Sequence, residues 1–288
     1  MNSNEQDILK GRSREIQIGE HGIVRLVDCM PRLVGPGRSF DHAVCEAARV
    51  SYGENEKVVS AKTDRGLIRY LMRHRHGTPF EMVDIKFYMR LPIFVVRQMI
   101  RHRTASINEY SMRYKQPKER FFVPSLDEVT LQSTDNKQGS AGPAPEDLAT
   151  QFINHTKRTA ADATAAYQAY DNDGLAKEVN RINLPLSTFT EWYWEIDLRN
   201  LLHFLSLRME SHAQRQIRDY ANAMCTLCRP LAPHTFEAFD DFMLNAISLS
   251  ALEIEALRGG RDLDERATDR ERAEYKDKLR KLGMNPAF

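Results

Sequence analysis

The chain has 288 residues, of which 42% are hydrophobic, with 41 Lys and Arg against 40 Asp and Glu. That length suits one large domain or two, and the apolar fraction supports a sizeable core. A net charge of +1 argues against a general nucleic-acid binder, the apolar runs fall short of a membrane span, and the polar first residues hold no apolar signal segment, so the expectation is a cytoplasmic enzyme.

Residues 1 to about 20 read as a loose tail. Val24–Cys29 predicts a short strand, and Pro31–Arg38, with two Gly and two Pro, a loop. Ser39 or Asp41 can cap a helix through Ala48. A second helix starts at Thr63 or Asp64, carries Leu67, Ile68, Leu71 and Met72 at helical spacing, and stops at Gly77. Its end holds Arg73-His74-Arg75-His76, where Arg73 to Arg75 read as a solvated face and a lone His at a helix end is more often a cap than a ligand. Val83, Ile85, Phe87, Met89 and Leu91 then alternate with Asp84, Lys86, Tyr88 and Arg90, the clearest strand signal in the chain. Pro92 opens a helix at its first position, with Ile93, Val96 and Ile100 as its apolar run.

That helix gives out into the stretch from Arg97 to Tyr114, RQMIRHRTASINEYSMRY, where hydrogen-bonding side chains converge. Between Arg97 and Arg120 there are seven Lys and Arg and two acids, Glu109 and Glu119. Arginine presents a planar fork of donors that matches phosphate or carboxylate oxygens two at a time. Ser106, Asn108 and Ser111 add neutral donors, and the N–H groups of a loop can cradle an anion. The residues read as a pocket for something phosphorylated that also carries a polar ring. A solvated basic loop is the plainer alternative. It fits less well, because small polar residues and a Glu are interleaved with the cations and an apolar helix leads in.

Arg120–Val123 can return as a strand, and Ser125–Pro145, rich in Ser, Thr, Asp, Gly and Pro, reads as an exposed loop. An Ala-rich helix follows from about Glu146 to Tyr170. Thr188–Ile196 is β-rich, with Trp192 and Trp194 on one face. Asp197 can cap the next helix, whose buried stripe is Leu198, Leu201, Leu202, Leu205 and Met209. Arg199, His203 and Arg208 lie off that stripe; they suit one wall of a ligand site or simply face water. His212–Leu231 and His234–Leu257 read as further helices, and from Arg258 mixed acids and bases make a solvated helical extension. Four cysteines do not suggest a disulfide scaffold, and Cys225-x-x-Cys228, with no second pair, reads as two buried helical thiols. The expected fold is α+β, with long helices around a small mixed or antiparallel sheet that includes residues 83–91 and 187–196. The expected organisation is a tail (1–20), one domain (21–257) and a charged extension (258–288).

Arg101-His102-Arg103 followed after seven residues by Ser111 resembles the RHR-x7-S signature of flavin-dependent thymidylate synthases, and the fuller pattern RHR-x-x-S-x-N-E-x-S-x-R-Y holds through Tyr114. The phrases AARVSYG around Ser51 and His-x-Thr-Pro-Phe at His76 are similar to the family too, and the similarity runs from about Ser51 to about Phe239. The resemblance implies reductive methylation of dUMP to dTMP, with methylenetetrahydrofolate giving the carbon, NADPH reducing FAD, and no metal. It implies an intertwined homotetramer, with neither nucleic acid nor membrane as partner. By position it implies flavin contacts at Ser51, His76, Thr78, Arg101, His102, Arg103, Asn108, Glu109, Arg199 and His203, the last being Asn in some relatives. Nucleotide contacts are implied at Gln98, Arg101, Glu109, Ser111, Arg113, Arg181 and Arg208. Arg208 is the candidate for electrostatic activation of the uracil. Ser111 has no evident neighbouring base, so its expected role is a hydrogen bond to the nucleotide and not nucleophilic attack. The alternative from another class is a non-catalytic nucleotide- or RNA-binding module, in which Tyr110, Tyr114, Phe121 and Phe122 would stack on bases. A metal enzyme using His74, His76 and His102 lacks a carboxylate or Cys at ligand spacing.

Overall fold

The computed structural model describes residues 14–32, 39–53, 61–116, 118–134 and 139–285. The expected tail lies outside the described residues as far as residue 13, and the expected loop after Pro31 lies outside them at 33–38. In chain order the described elements begin with strands β1 (Glu15–Ile18) and β2 (Gly22–Met30) and helices α1 (Phe40–Arg49) and α2 (Ala61–Arg73). A 3-10 turn, Thr78–Met82, leads into β3 (Asp84–Pro92), α3 (Ile93–Met99) and β4 (Ser106–Glu109). Next come β5 (Thr130–Gln132), β6 (Ser140–Pro143), the long α4 (Glu146–Asn172), the single turn α5 (Lys177–Asn180) and β7 (Phe189–Asp197). Helices α6 (Leu198–Arg208), α7 (Arg215–Cys228) and α8 (Pro233–Phe239) complete the first of two compact units, Met1–Phe239.

The fold is α+β, and its main sheet is antiparallel throughout, in the order β1-β2-β3-β7-β4. The alternation read from the sequence sets its two faces. Ile85, Phe87, Met89 and Leu91 of β3 are buried, and they lie opposite Ile196, Trp194, Trp192 and Thr190 of β7, which are buried as well. Helix α6 covers this face, with Phe204 edge-on to Trp194 at 5.2 Å between ring centroids. Helix α7 lies over β1 and β2, and its Tyr220 hydroxyl donates to the Arg90 carbonyl at 2.8 Å. The opposite face is polar and aromatic: Tyr88 meets Tyr193, Arg25 lies over the Tyr88 ring, and Lys86 pairs with Glu195. The face covered by helices is therefore the core, and the uncovered face is not.

Several expectations change. Pro92 is the last residue of β3 and the N-cap of α3, in an extended conformation, not the first helical residue. Part of the expected polar loop, Ser106–Glu109, is an edge strand on β7, while Phe121 makes only an isolated bridge to Thr188 where a strand was expected. The exposed segment after Ser125 contains a 3-10 turn and the β5–β6 hairpin. The helix expected over His234–Leu257 is broken: α8 ends at Phe239, and a new helix, α9 (Ala251–Gly259), starts from a capping box between Ser250 and Glu253. The second unit, Asp240–Phe288, thus begins eighteen residues before the compositional change at Arg258. It holds its own small core, where Tyr275 and Leu279 of α10 (Asp269–Lys281) pack with Ala256, Leu263 and Ala267. Its Lys278 pairs with the buried Glu253 at 2.7 Å.

Within the first unit, Asp41 closes α1 onto α8. Its buried carboxylate accepts from the backbone N–H groups of His234 (2.8 Å) and Thr235 (2.9 Å) and from the Thr235 hydroxyl (2.7 Å). Asp41→Ala strands these buried donors and should cost about 2–4 kcal/mol, read as a lower urea midpoint at unchanged slope. Asp41→Asn keeps one acceptor and should lose less. An alanine variant with the wild-type midpoint would remove Asp41 from this role.

Candidate functional site

Three short segments carry candidate residues, two of them against helix α6 and one on β7. The first is the turn that ends α3. There the N–H of His102 bonds to the Met99 carbonyl at 3.0 Å, so the chain turns sharply once the apolar run is over. Arg101 and Arg103 are exposed and make no ion pair among the described residues. His102 lies half-buried between them. Its ring packs edge-on against Phe204 of α6 at 4.8 Å and stands 6.2 Å from the ring of His203.

Arg208, at the last position of α6, donates its Nε–H to Nε2 of His102 at 3.2 Å. An arginine Nε is always a donor, so Nε2 of His102 must carry a lone pair, and the neutral ring keeps its proton on Nδ1. Burial lowers the His102 pKa to about 4, with the Arg208 and His203 charges adding to the effect. Burial also lowers the Arg208 pKa from its ordinary value. The pair is therefore a fixed cation resting on a neutral ring.

The second segment is the 3-10 turn after α2. Here Arg199, in the first turn of α6, pairs with Glu81 at 3.0 Å. The Arg199 side chain runs directly across Gly77, where a Cβ would overlap its Nε and Cδ. Gly77 has φ −82° and ψ −40°, which any residue can adopt, so a larger residue here would conflict only with the half-exposed Arg199 side chain, which would have to swing aside. Thr78 opens this turn and is exposed; His76, also exposed, stands edge-on to Tyr70 at 5.7 Å. The helix itself is set by Asp197, whose carboxylate accepts from the Asn200 N–H at 2.9 Å, the cap expected from the sequence.

The third segment is β4. Asn108 is opposite Tyr193 and Glu109 opposite Trp192 in the register with β7. Glu109 accepts from the Thr190 hydroxyl at 2.8 Å, which ties this edge strand to β7 through side chains as well as backbone.

The remaining candidates form separate groups within one chain. Arg113 pairs with the Glu178 carboxylate at 3.0 Å, and Arg181 donates to the Glu178 carbonyl at 3.4 Å, so the two cations converge on one residue. Both arginines are exposed, and such a pair is worth little in water. The Ser111 hydroxyl accepts from the Arg113 N–H at 3.3 Å, and no base contacts it among the described residues. Gln98 donates to the side chain of Gln214. Ser51 is exposed in the 3-10 turn Val50–Tyr52. Glu81, Glu178, Thr190, Phe204 and Gln214 are thus contacts that sequence reasoning missed. No motif marks them, because each is defined only by a partner distant in the chain.

The family model described as thymidylate synthase complementing protein matches residues 32–234. A flavin-dependent thymidylate synthase from Dictyostelium discoideum is 46% identical over 97% of this chain and 91% of its own length. Another from Treponema denticola is 43% identical over 93% of this chain and 97% of its own. Among solved structures, the UMP/dUMP methylase PolB from Streptomyces cacaoi, bound with 5-Br dUMP, superposes with a TM-score of 0.69 at 37% identity. That match covers 77% of this chain and 96% of PolB. The chain belongs to the thymidylate synthase complementing protein family.

Proposed function

We propose that this chain is a flavin-dependent thymidylate synthase that methylates dUMP to dTMP, with methylenetetrahydrofolate as carbon donor and NADPH as reductant of its FAD. The observation that carries this reading is the Arg208–His102 pair, standing between two arginines without ion-pair partners on a chain of this family. The residues fit a flavin dinucleotide. Arg101 and Arg103 are free to meet a pyrophosphate, and His102, His203, Asn108, Arg199 and Thr78 supply polar contacts of the kind a ring system needs. Bound FAD would supply two-electron hydride chemistry, which side chains cannot.

The chain's own part is binding and electrostatics. Ser111, Arg113, Arg181, Gln98 and Glu109 are proposed to hold the nucleotide. A phosphate would have to draw Arg113 away from Glu178, an exchange that costs little at an exposed pair. Arg208 keeps its two terminal nitrogens for the uracil, because only its Nε is taken by His102. Its fixed charge stabilises negative charge that develops on the ring.

We further propose a homotetramer in the cytoplasm. In one chain Arg101, Arg103, Asn108, Arg199 and His203 lie exposed, as in a site completed by a neighbouring subunit. Leu148 and Phe152 of α4 and Tyr193 on the uncovered sheet face are also half-exposed, which suits burial against other copies.

The direct test is the absorption spectrum of the purified protein. It should show bound flavin, and His102→Ala or Arg103→Ala should lower flavin occupancy more than stability. A colourless protein that retains nucleic acid would overturn the assignment in favour of an RNA-binding module.

For Arg208, both half-reactions are measured. Arg208→Ala should slow methylation by about 100-fold or more while sparing NADPH oxidation. Arg208→Lys, which has the charge without the fork, should recover part of the loss. Equal, small losses in both half-reactions would move the activating role to Arg113 or Arg181.

The state of His102 is tested by pH. The unfolded chain takes up a proton there near the ordinary value of 6.5, and the folded chain only near 4. Between those values the unfolded state binds more protons, so stability falls as pH drops through that window and levels off below it. His102→Leu should show a shallower loss of urea midpoint over the same range. Parallel profiles would mean that His102 is not held neutral.

A further inference from the structure

His102 is placed by the family pattern against the flavin, and Arg208 against the nucleotide; the structure joins the two directly. We propose that His102 is also a positioning residue for Arg208, so that the flavin and nucleotide subsites are coupled through the single Nε–H···Nε2 bond. This rests on the thymidylate synthase reading given above.

The geometry supports it in three steps. Arg208 is the last residue of α6, and its backbone is followed at once by the C-cap Met209. A long side chain at a helix end has many rotamers, and holding one of them costs entropy. Arg208 has no carboxylate partner among the described residues, so His102 Nε2 is the acceptor that selects its direction. The acceptor is itself fixed, because the His102 ring is wedged edge-on against Phe204, and Phe204 is fully buried against Trp194. A rigid chain of rings thus runs from the sheet to the guanidinium: Phe87, Trp194, Phe204, His102, Arg208.

A carboxylate in place of His102 would hold Arg208 as well, but it would also offset part of its charge. A neutral imidazole aims the guanidinium and leaves its full charge for the uracil. The same bond sets what His102 offers on its other side. With Nε2 occupied, the ring presents one Nδ1–H donor, so a flavin atom that meets it must be an acceptor.

The test is a double-mutant cycle on dUMP affinity, measured with the full chain at saturating FAD and with flavin content checked by absorbance. His102→Leu should weaken dUMP binding roughly tenfold, the size of one charge-assisted hydrogen bond. In the Arg208→Ala background the same change should have an effect of about twofold or less. His102→Gln supplies a carbonyl acceptor and should restore most of the affinity. Equal weakening by His102→Leu in both backgrounds would overturn the proposal, since His102 would then act only through the flavin or the fold. Failure of the wild-type protein to bind dUMP would instead overturn the functional reading.

A variant that loses flavin altogether is read by nitrogen–proton NMR of the Arg208 Nε–H. That proton should exchange slowly in the wild type and in His102→Gln, and fast in His102→Leu. Identical exchange in all three would also overturn the proposal.

Discussion

Nine residues of β3 paired antiparallel with nine of β7 set the position of everything else in the first unit. The pair is about 30 Å long and buries alternate residues of both strands on the face where α6 packs over β7. Because the strands are antiparallel, they release their following helices at opposite ends: α3 leaves beside Phe189 and α6 leaves beside Asp84. Helix α6 then folds back over Trp194 and covers about 16 Å, which brings its last turn to the end of α3. Two segments over a hundred residues apart in sequence meet there, as His102 and Arg208. A one-residue slip between β3 and β7 would turn Trp192 and Trp194 to the polar face and separate that pair.

The strands and helices whose signals are local could be read from the sequence. The alternation of Val83 to Leu91 gave β3, and Asp197 before a Leu stripe gave the cap and the buried side of α6. β4 was not legible, because Ser-Ile-Asn-Glu has little strand preference and becomes a strand only through its pairing with β7. The break after Phe239 was hidden by apolar residues that continue into Ile247, Leu249 and Leu252; Ser250 and Glu253, three apart, were the available sign. In the second unit the charged composition hid a core, since a single Tyr and a single Leu, one turn apart on α10, are enough to anchor it. The signature residues were recognisable as a set. Their grouping was not, because contacts such as Arg199 with Glu81, Arg113 with Glu178 and Thr190 with Glu109 follow from topology and not from spacing.

The cations of the proposed site differ in what they must give up to meet a ligand. Arg101 and Arg103 make no ion pair among the described residues, so an anion there faces little competition. Arg113 is paired with the Glu178 carboxylate and Arg181 rests on the Glu178 backbone carbonyl, so an anion would have to displace both contacts. Arg208 is committed by one nitrogen only. The sequence shows five similar arginines, while the fold gives them three different degrees of engagement.

The passage of Arg199 over Gly77 links the two positions. Any side chain gained at 77 would push the half-exposed Arg199 side chain aside, and Glu81 would then lose its cation. The backbone at 77 would accept any amino acid, so the cost of substitution falls on the Arg199–Glu81 pair. A change at 77 would therefore be felt as a loosened ion pair more than a hundred residues along the chain, an indirect effect set by the few ångströms between a backbone and the arginine that crosses it.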